Sequence, residues 1–110
     1  MIVTNAEGIP GQEVGQVLGV VTGNVVQAKH VDRDILAGLK SISGGEIGDY
    51  SDLMTQAREK AHQRMVEAAR RLGADAITNS RYTTSMIAQG MSEVLAFGTA
   101  VKLAGRGVGS

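Results

Sequence analysis

Apolar residues recur at helical spacing over residues 50–72, where Leu53, Ala57, Ala61, Met65, Ala68 and Leu72 share one stripe among charged neighbours. That spacing predicts a long amphipathic helix laid on an apolar surface. Asp49 or Ser51 is the expected cap, Asp52 suits the positive first turn, and Arg70 and Arg71 suit the negative end. Glu67 stands four residues before Arg71, the favourable order for an ion pair, and Gly73 is the expected left-handed stop. Period-two patterning marks three strands. Glu13–Gln27 places Val14, Leu18 and Val20 on one face, and Val17, Val21 and Val25 on the other with Gly15, Gly19 and Gly23. Glycines inside a strand point to bulges or to close approach of another backbone. Residues 74–86 form a second, more polar strand. After the Ala88-Gln89-Gly90 turn, residues 92–103 form a third. In that last strand Leu95, Phe97, Val101 and Leu103 make one apolar face, while Val94, Ala96, Gly98 and Ala100 make a small-residue face.

Two weaker elements complete the pattern. Ile2-Val3-Thr4 is a short extended start, followed by a turn over residues 7–11 around Pro10. Asp32–Leu39 has the cap and spacing of a short helix. Residues 104–110 carry no periodicity and read as a flexible tail behind a single domain of residues 1–103.

The order strand, helix, strand, strand defines an α+β subunit. A helical crossover favours parallel first and second strands with a right-handed connection. The short turn makes the third strand antiparallel to the second. Being apolar on both faces, the third strand belongs between the other two, in spatial order 1-3-2. One long helix then covers one face of a three-stranded sheet. The other face, also apolar, must curl on itself or be buried against copies of the same chain in a closed ring or other symmetric oligomer.

Composition narrows the chemistry. The chain has 110 residues, zero formal net charge and no cysteine. Zero charge gives no electrostatic case for nucleic acid, and no apolar run is long enough for a membrane-spanning helix. No secretory signal is visible, and a cysteine-free chain suits the cytoplasm. Without thiolates, the nitrogen ligands for a metal ion are His30 and His62, and Glu59 lies three residues before His62 on the same helix. Two ligands fall one short of the usual three, so a metal site would need copies of His62 gathered at an axis; otherwise His62 is a solvated helix residue. Arg33, Asp34, Glu46, Arg81 and Glu93 are polar candidates for an interface site. They could serve general acid–base chemistry or pair in salt bridges that fix subunit register. Gly44-Gly45 and the glycines of residues 105–109 match no phosphate-binding fingerprint.

Several stretches, taken in order, resemble the YbjQ-like family, which carries a heavy-metal-binding label. They are residues 18–26 (LGVVTGNVV), Arg33–Leu39, Gly44–Ile47 with Tyr50, Ala57-Arg58, Met65, Ala74–Ile77, Arg81-Tyr82 and Glu93–Val101. The resemblance covers nearly the whole chain up to Leu103. It implies a dodecin-like subunit assembled as a homopentamer. Residues 78–85 depart from the family's Val-rich, Asp-containing second strand, which removes one possible carboxylate ligand. The expected function is a non-enzymatic homo-oligomeric protein that binds a metal or small ligand at subunit interfaces. A structural scaffold is the alternative, followed by an enzyme with an inter-subunit Arg–carboxylate site.

Overall fold

The computed structural model describes residues 1–28 and 47–106. Its elements are β1 (Ile2–Val3), β2 (Gln12–Ala28), α1 (Ile47–Arg71), β3 (Ala76–Ala88) and β4 (Met91–Arg106). They form an α+β domain with a four-stranded sheet in the order β1-β3-β4-β2. Strands β2 and β3 each pair antiparallel with β4, so they run parallel to one another with β4 between them. For the three long strands this is the expected 1-3-2 order. The expected short N-terminal strand is β1, which joins the sheet by pairing parallel with β3 through Ile2↔Ala76 and Val3↔Ile77. Strand β4 runs to Arg106, three residues past the expected end of regular structure. His30, Arg33, Asp34, Glu46 and the short helix expected over Asp32–Leu39 lie outside the described residues.

The helix forms because residues 52–71 are dominated by Ala, Glu, Gln, Arg, Lys and Met, all good helix formers, with no Gly or Pro. It begins at Ile47, so Asp49 and Ser51 fall inside it rather than capping it. It ends as expected at Gly73, whose φ is +78°. There the Gly73 N–H donates to the Arg70 carbonyl at 2.9 Å and the Ala74 N–H to the Ala69 carbonyl at 3.1 Å. This crossed pair closes the last turn. The Glu67–Arg71 ion pair is present at 3.7 Å but lies in solvent, where such pairs contribute little.

Ala57, Ala61, Met65 and Ala69, four residues apart, form one ridge buried against the sheet. The ridge differs from the expected stripe at its ends. Leu53 and Leu72 are 44% and 48% exposed, and Ala69 replaces Ala68 as the buried residue. A 25-residue helix spans roughly 37 Å. The core it closes comprises Val21 and Val25 of β2, Ile77 of β3, and Val94, Ala96 and Ala100 of β4. The helix therefore lies on the small-residue face of β4. Close approach is set by Gly23, where an added Cβ would meet the Ala61 carbonyl oxygen and the Met65 amide nitrogen. Met65 is wholly buried at the centre of this contact. Met65→Ala is expected to lower unfolding free energy by about 2–3 kcal/mol, measured as a lower urea midpoint with an unchanged slope.

The phase of β2 also departs from expectation. Register shifts occur at Gln12/Val14, Val14/Gln16 and Val17/Gly19. Each moves later side chains relative to strict alternation. As a result Val14, Val17 and Val20 all point away from the helix, while Leu18 packs against the core. The chain is elongated, with a radius of gyration of 18.2 Å, where a compact 110-residue domain would have roughly 13 Å.

Candidate functional site

The irregular part of β3 builds the site. Between Thr78↔Thr99 and Arg81↔Phe97, two residues of β3, Asn79 and Ser80, stand opposite one residue of β4, Gly98. This is a β-bulge. Asn79 takes the left-handed conformation at φ +54°, which asparagine tolerates better than most residues. Gly98 makes the bulge possible, because a Cβ there would press on Ile77 and lie 3.3 Å from the Ser80 Cα.

The N-terminal segment fastens to the bulge. The Ser80 N–H donates to the Thr4 carbonyl at 2.9 Å, and the Asn79 N–H to the Ala6 carbonyl at 3.0 Å. The Arg81 guanidinium donates to the Asn5 carbonyl at 3.0 Å. The two residues of β1 thus continue into a strap over the bulge, and this explains why so short a strand is held in place.

Beyond the bulge, alternation brings Tyr82 onto the helix side. Helix α1 packs chiefly on β2 and β4 and least on β3, so a cleft opens between the helix and this end of β3. His62 meets Tyr82 across it. The His62 Nδ1 and the Tyr82 hydroxyl lie 2.7 Å apart, a hydrogen bond whose direction follows the imidazole tautomer. The two rings stack with centroids 6.2 Å apart and planes at 24°.

This pair lines two recesses. The larger, ≈ 440 Å³, is lined by Arg58, Glu59, His62, Gln63 and Tyr82. The smaller, ≈ 240 Å³, is lined by Val3, Thr4, Asn5, His62, Ser80 and Tyr82. Ser80 is 6% exposed, and its Oγ has no hydrogen-bond partner among the described residues. A buried hydroxyl without a partner is costly and uncommon.

Of the candidates drawn from sequence, Glu59 and His62 line this cleft together, as their spacing predicted. Arg81 and Glu93 do not meet within a subunit. Both point to the sheet face away from the helix, Arg81 opposite Phe97 and Glu93 opposite Ser85, a separation of roughly 13 Å along the strands. Arg81 holds the N-terminal strap, and Glu93 accepts a hydrogen bond from the Asn24 amide at 3.2 Å. Ser80 and Tyr82 were not singled out from sequence as site residues. The available signal was the break in the apolar pattern of the second strand at residues 78–85.

A family model named YbjQ_1 and described as putative heavy-metal-binding matches residues 1–104. The chain belongs to the YbjQ_1 family. The UPF0145 protein of Vibrio parahaemolyticus is 63% identical over 103 residues, covering 94% of this chain and 98% of that protein. The UPF0145 protein of Archaeoglobus fulgidus is 53% identical over 103 residues, covering 94% and 95% respectively. A crystal structure of a protein with unknown function from Pediococcus pentosaceus, of the DUF74 family, shares the fold with a TM-score of 0.62. It is 20% identical, and the match covers 94% of this chain and 97% of that one.

The YbjQ_1 description raises a heavy metal directly, and the donors among the described residues do not fit one. The chain has no cysteine, and soft metals select thiolate and thioether sulfur. Of the five methionines, Met65 is sealed in the core, and neither it nor the exposed Met86 lines the cleft. No three His, Cys, Asp or Glu side chains gather among the described residues. Glu59 and His62 supply one carboxylate and one imidazole, and Nδ1 of that imidazole already bonds Tyr82. Among the described residues, no helix is long and apolar enough to cross a membrane.

Proposed function

We propose that the chain is a non-enzymatic homo-oligomeric binding protein, a closed ring of copies packed through the sheet face that α1 leaves uncovered. Each subunit offers the α1–β3 cleft to a small ligand. The observation that carries this reading is the far face of β2. There Val17 and Val20 are 64% and 73% exposed, and Val14 and Val26 are also exposed on the same side. Isolated exposed valines are ordinary, but Val14, Val17 and Val20 lie in a row beside Leu103, Val101 and Thr99 of β4 and open onto the same face. Burying it contributes about 2.5 kcal/mol per 100 Å², a large share of the stability of so small a domain.

The elongated shape supports the same reading. Residues 81–88 of β3 are exposed throughout, on both faces of the sheet, with Tyr82 meeting α1 at His62. Five is the subunit number that the family resemblance implies; the apolar face calls for burial without fixing a count. The mixed donors and acceptors of the cleft favour an organic ligand over a soft metal ion. The placement of Arg81 and Glu93 favours structural roles for both over an acid–base pair.

Native mass spectrometry of protein purified without added metal or chelator tests the reading. A fivefold mass is expected. Stoichiometric extra mass would identify a bound ligand or ion, and a stable monomer at micromolar concentration would overturn the ring.

A further inference from the structure

We propose that the α1–β3 cleft binds a small neutral polyhydroxylated ligand of monosaccharide size. In this assignment the Ser80 hydroxyl is its innermost hydrogen-bond partner and the Tyr82 ring its packing surface. The inference rests on the binding-protein reading above and adds the ligand class.

The site is built rather than incidental. Its floor is a bulge held by three hydrogen bonds from Asn79, Ser80 and Arg81 to the N-terminal strap. It includes a left-handed non-glycine residue, Asn79. Conformations of this kind persist where the surroundings impose them, and they cluster at functional sites. The result is to hold Ser80, itself 6% exposed, against the smaller recess with its Oγ unpaired among the described residues. Ser80 lines the smaller recess, ≈ 240 Å³; the larger, ≈ 440 Å³, shares His62 and Tyr82 with it and falls within the roughly 300–1,000 Å³ typical of small-molecule sites.

The lining selects among ligand classes. An apolar ligand would leave the Ser80 hydroxyl and the Asn5 and Gln63 amides without partners, and unmet buried polar groups oppose binding. Arg58 and Glu59, consecutive on α1, both line the larger recess. Among the described residues the Arg58 guanidinium donates to the Thr55 hydroxyl, at 3.2 Å, through one of its five N–H groups, which leaves others to offer. Glu59 forms no ion pair or hydrogen bond among the described residues. An anion would meet the Glu59 carboxylate, and a cation would meet the Arg58 guanidinium. A polyol avoids both conflicts, because each hydroxyl donates and accepts and so suits a carboxylate, a guanidinium, an amide or a serine in turn. The His62–Tyr82 pair is adaptable in the same way. Whichever tautomer the imidazole takes, the pair has a further donor to present. The Tyr82 ring, about half exposed, offers a flat surface to the C–H face of a sugar ring.

Saturation-transfer NMR on the full-length protein tests this, with D-glucose, D-ribose and myo-inositol as probes and acetate and tetramethylammonium as charged comparisons. Transfer to at least one polyol is expected at millimolar concentration, with none to the two ions. Ser80→Ala should weaken the bound polyol about tenfold, the equivalent of one hydrogen bond. Thermal stability should be unchanged or raised, because the variant removes an unpaired buried hydroxyl. Tyr82→Ala should abolish transfer. Absence of transfer to every polyol overturns the inference, as does binding of an ion instead or an affinity indifferent to both variants. Native mass recorded on the same samples keeps the two readings apart: an intact oligomer that ignores polyols sinks only the ligand class, and a monomer that binds them sinks only the ring.

Discussion

Gly23→Val should unfold the subunit or come close to it. Gly23 lies on β2 directly beneath the helix, where an added Cβ would run into the Ala61 carbonyl oxygen and the Met65 amide nitrogen, with the Arg64 Cβ at 2.8 Å. Two of these obstacles are helix backbone and cannot rotate away. The side chain fits only if α1 lifts off the sheet, and lifting it opens the contact that buries Ala57, Ala61, Met65 and Ala69. It also stretches the Arg64 hydrogen bond to the Asn24 carbonyl, 2.6 Å in the native subunit. Overpacking usually costs 1–3 kcal/mol where side chains can yield. Here the backbone must move, so the expected loss exceeds about 3 kcal/mol, from a total of roughly 5–15 kcal/mol. In thermal denaturation followed by circular dichroism this corresponds to a fall of roughly 15 °C or more. Gly23→Ala should show a smaller loss of the same sign, since one methyl already lacks room. A valine variant that melts with the parent would mean that the helix does not rest on Gly23.

The same glycine shows what the sequence made legible. A glycine inside a valine-rich strand announces a close backbone approach, and the helical stripe through Ala57, Ala61 and Met65 announces the approaching surface. Strand order followed from β4 being apolar on both faces, and the helix stop followed from Gly73. These features are local in sequence or carried by a period, so a linear pattern records them. Strict alternation failed where the backbone breaks its period. The register shifts before Gly19 turn Val17 to the outer face and Leu18 toward the core, and no side-chain pattern in residues 12–19 specifies where the extra residue sits. The candidate site divides along the same line. Glu59 and His62 share a helix face and could be paired from spacing alone. Tyr82 and Ser80 join them only because the Asn79 bulge changes which side of β3 each occupies, and because Thr4–Ala6 supplies the carbonyls that hold the bulge. That arrangement depends on segments more than seventy residues apart, which no periodicity encodes.

The uncovered face of the sheet gives the second large effect. Replacing Val17 and Val20 together by aspartate should dissociate the oligomer while leaving the subunit folded. Both valines point away from α1 and are mostly exposed within one subunit, at 64% and 73%, so neither contributes to the helix–sheet core. Exposed substitutions of this kind usually change subunit stability by no more than about 0.5 kcal/mol each. In a ring the same positions would be buried, and an unpaired carboxylate confined there costs several kcal/mol after relaxation. Every subunit carries both changes, so the penalty recurs at each interface and closure fails as a whole. Sedimentation velocity should show the parent at a multiple of the subunit mass and the double variant at the mass of one chain, 11.5 kDa. Small-angle scattering of that species should give a radius of gyration near the 18.2 Å of the elongated subunit. Threonine at both positions is the informative control, because it keeps the β-branched shape without a charge and should weaken assembly without abolishing it. A double aspartate variant that sediments like the parent would place the interface elsewhere on the subunit. The exposed β3 arm beyond Arg81 would then be the next surface to test, through Met86 and Ile87.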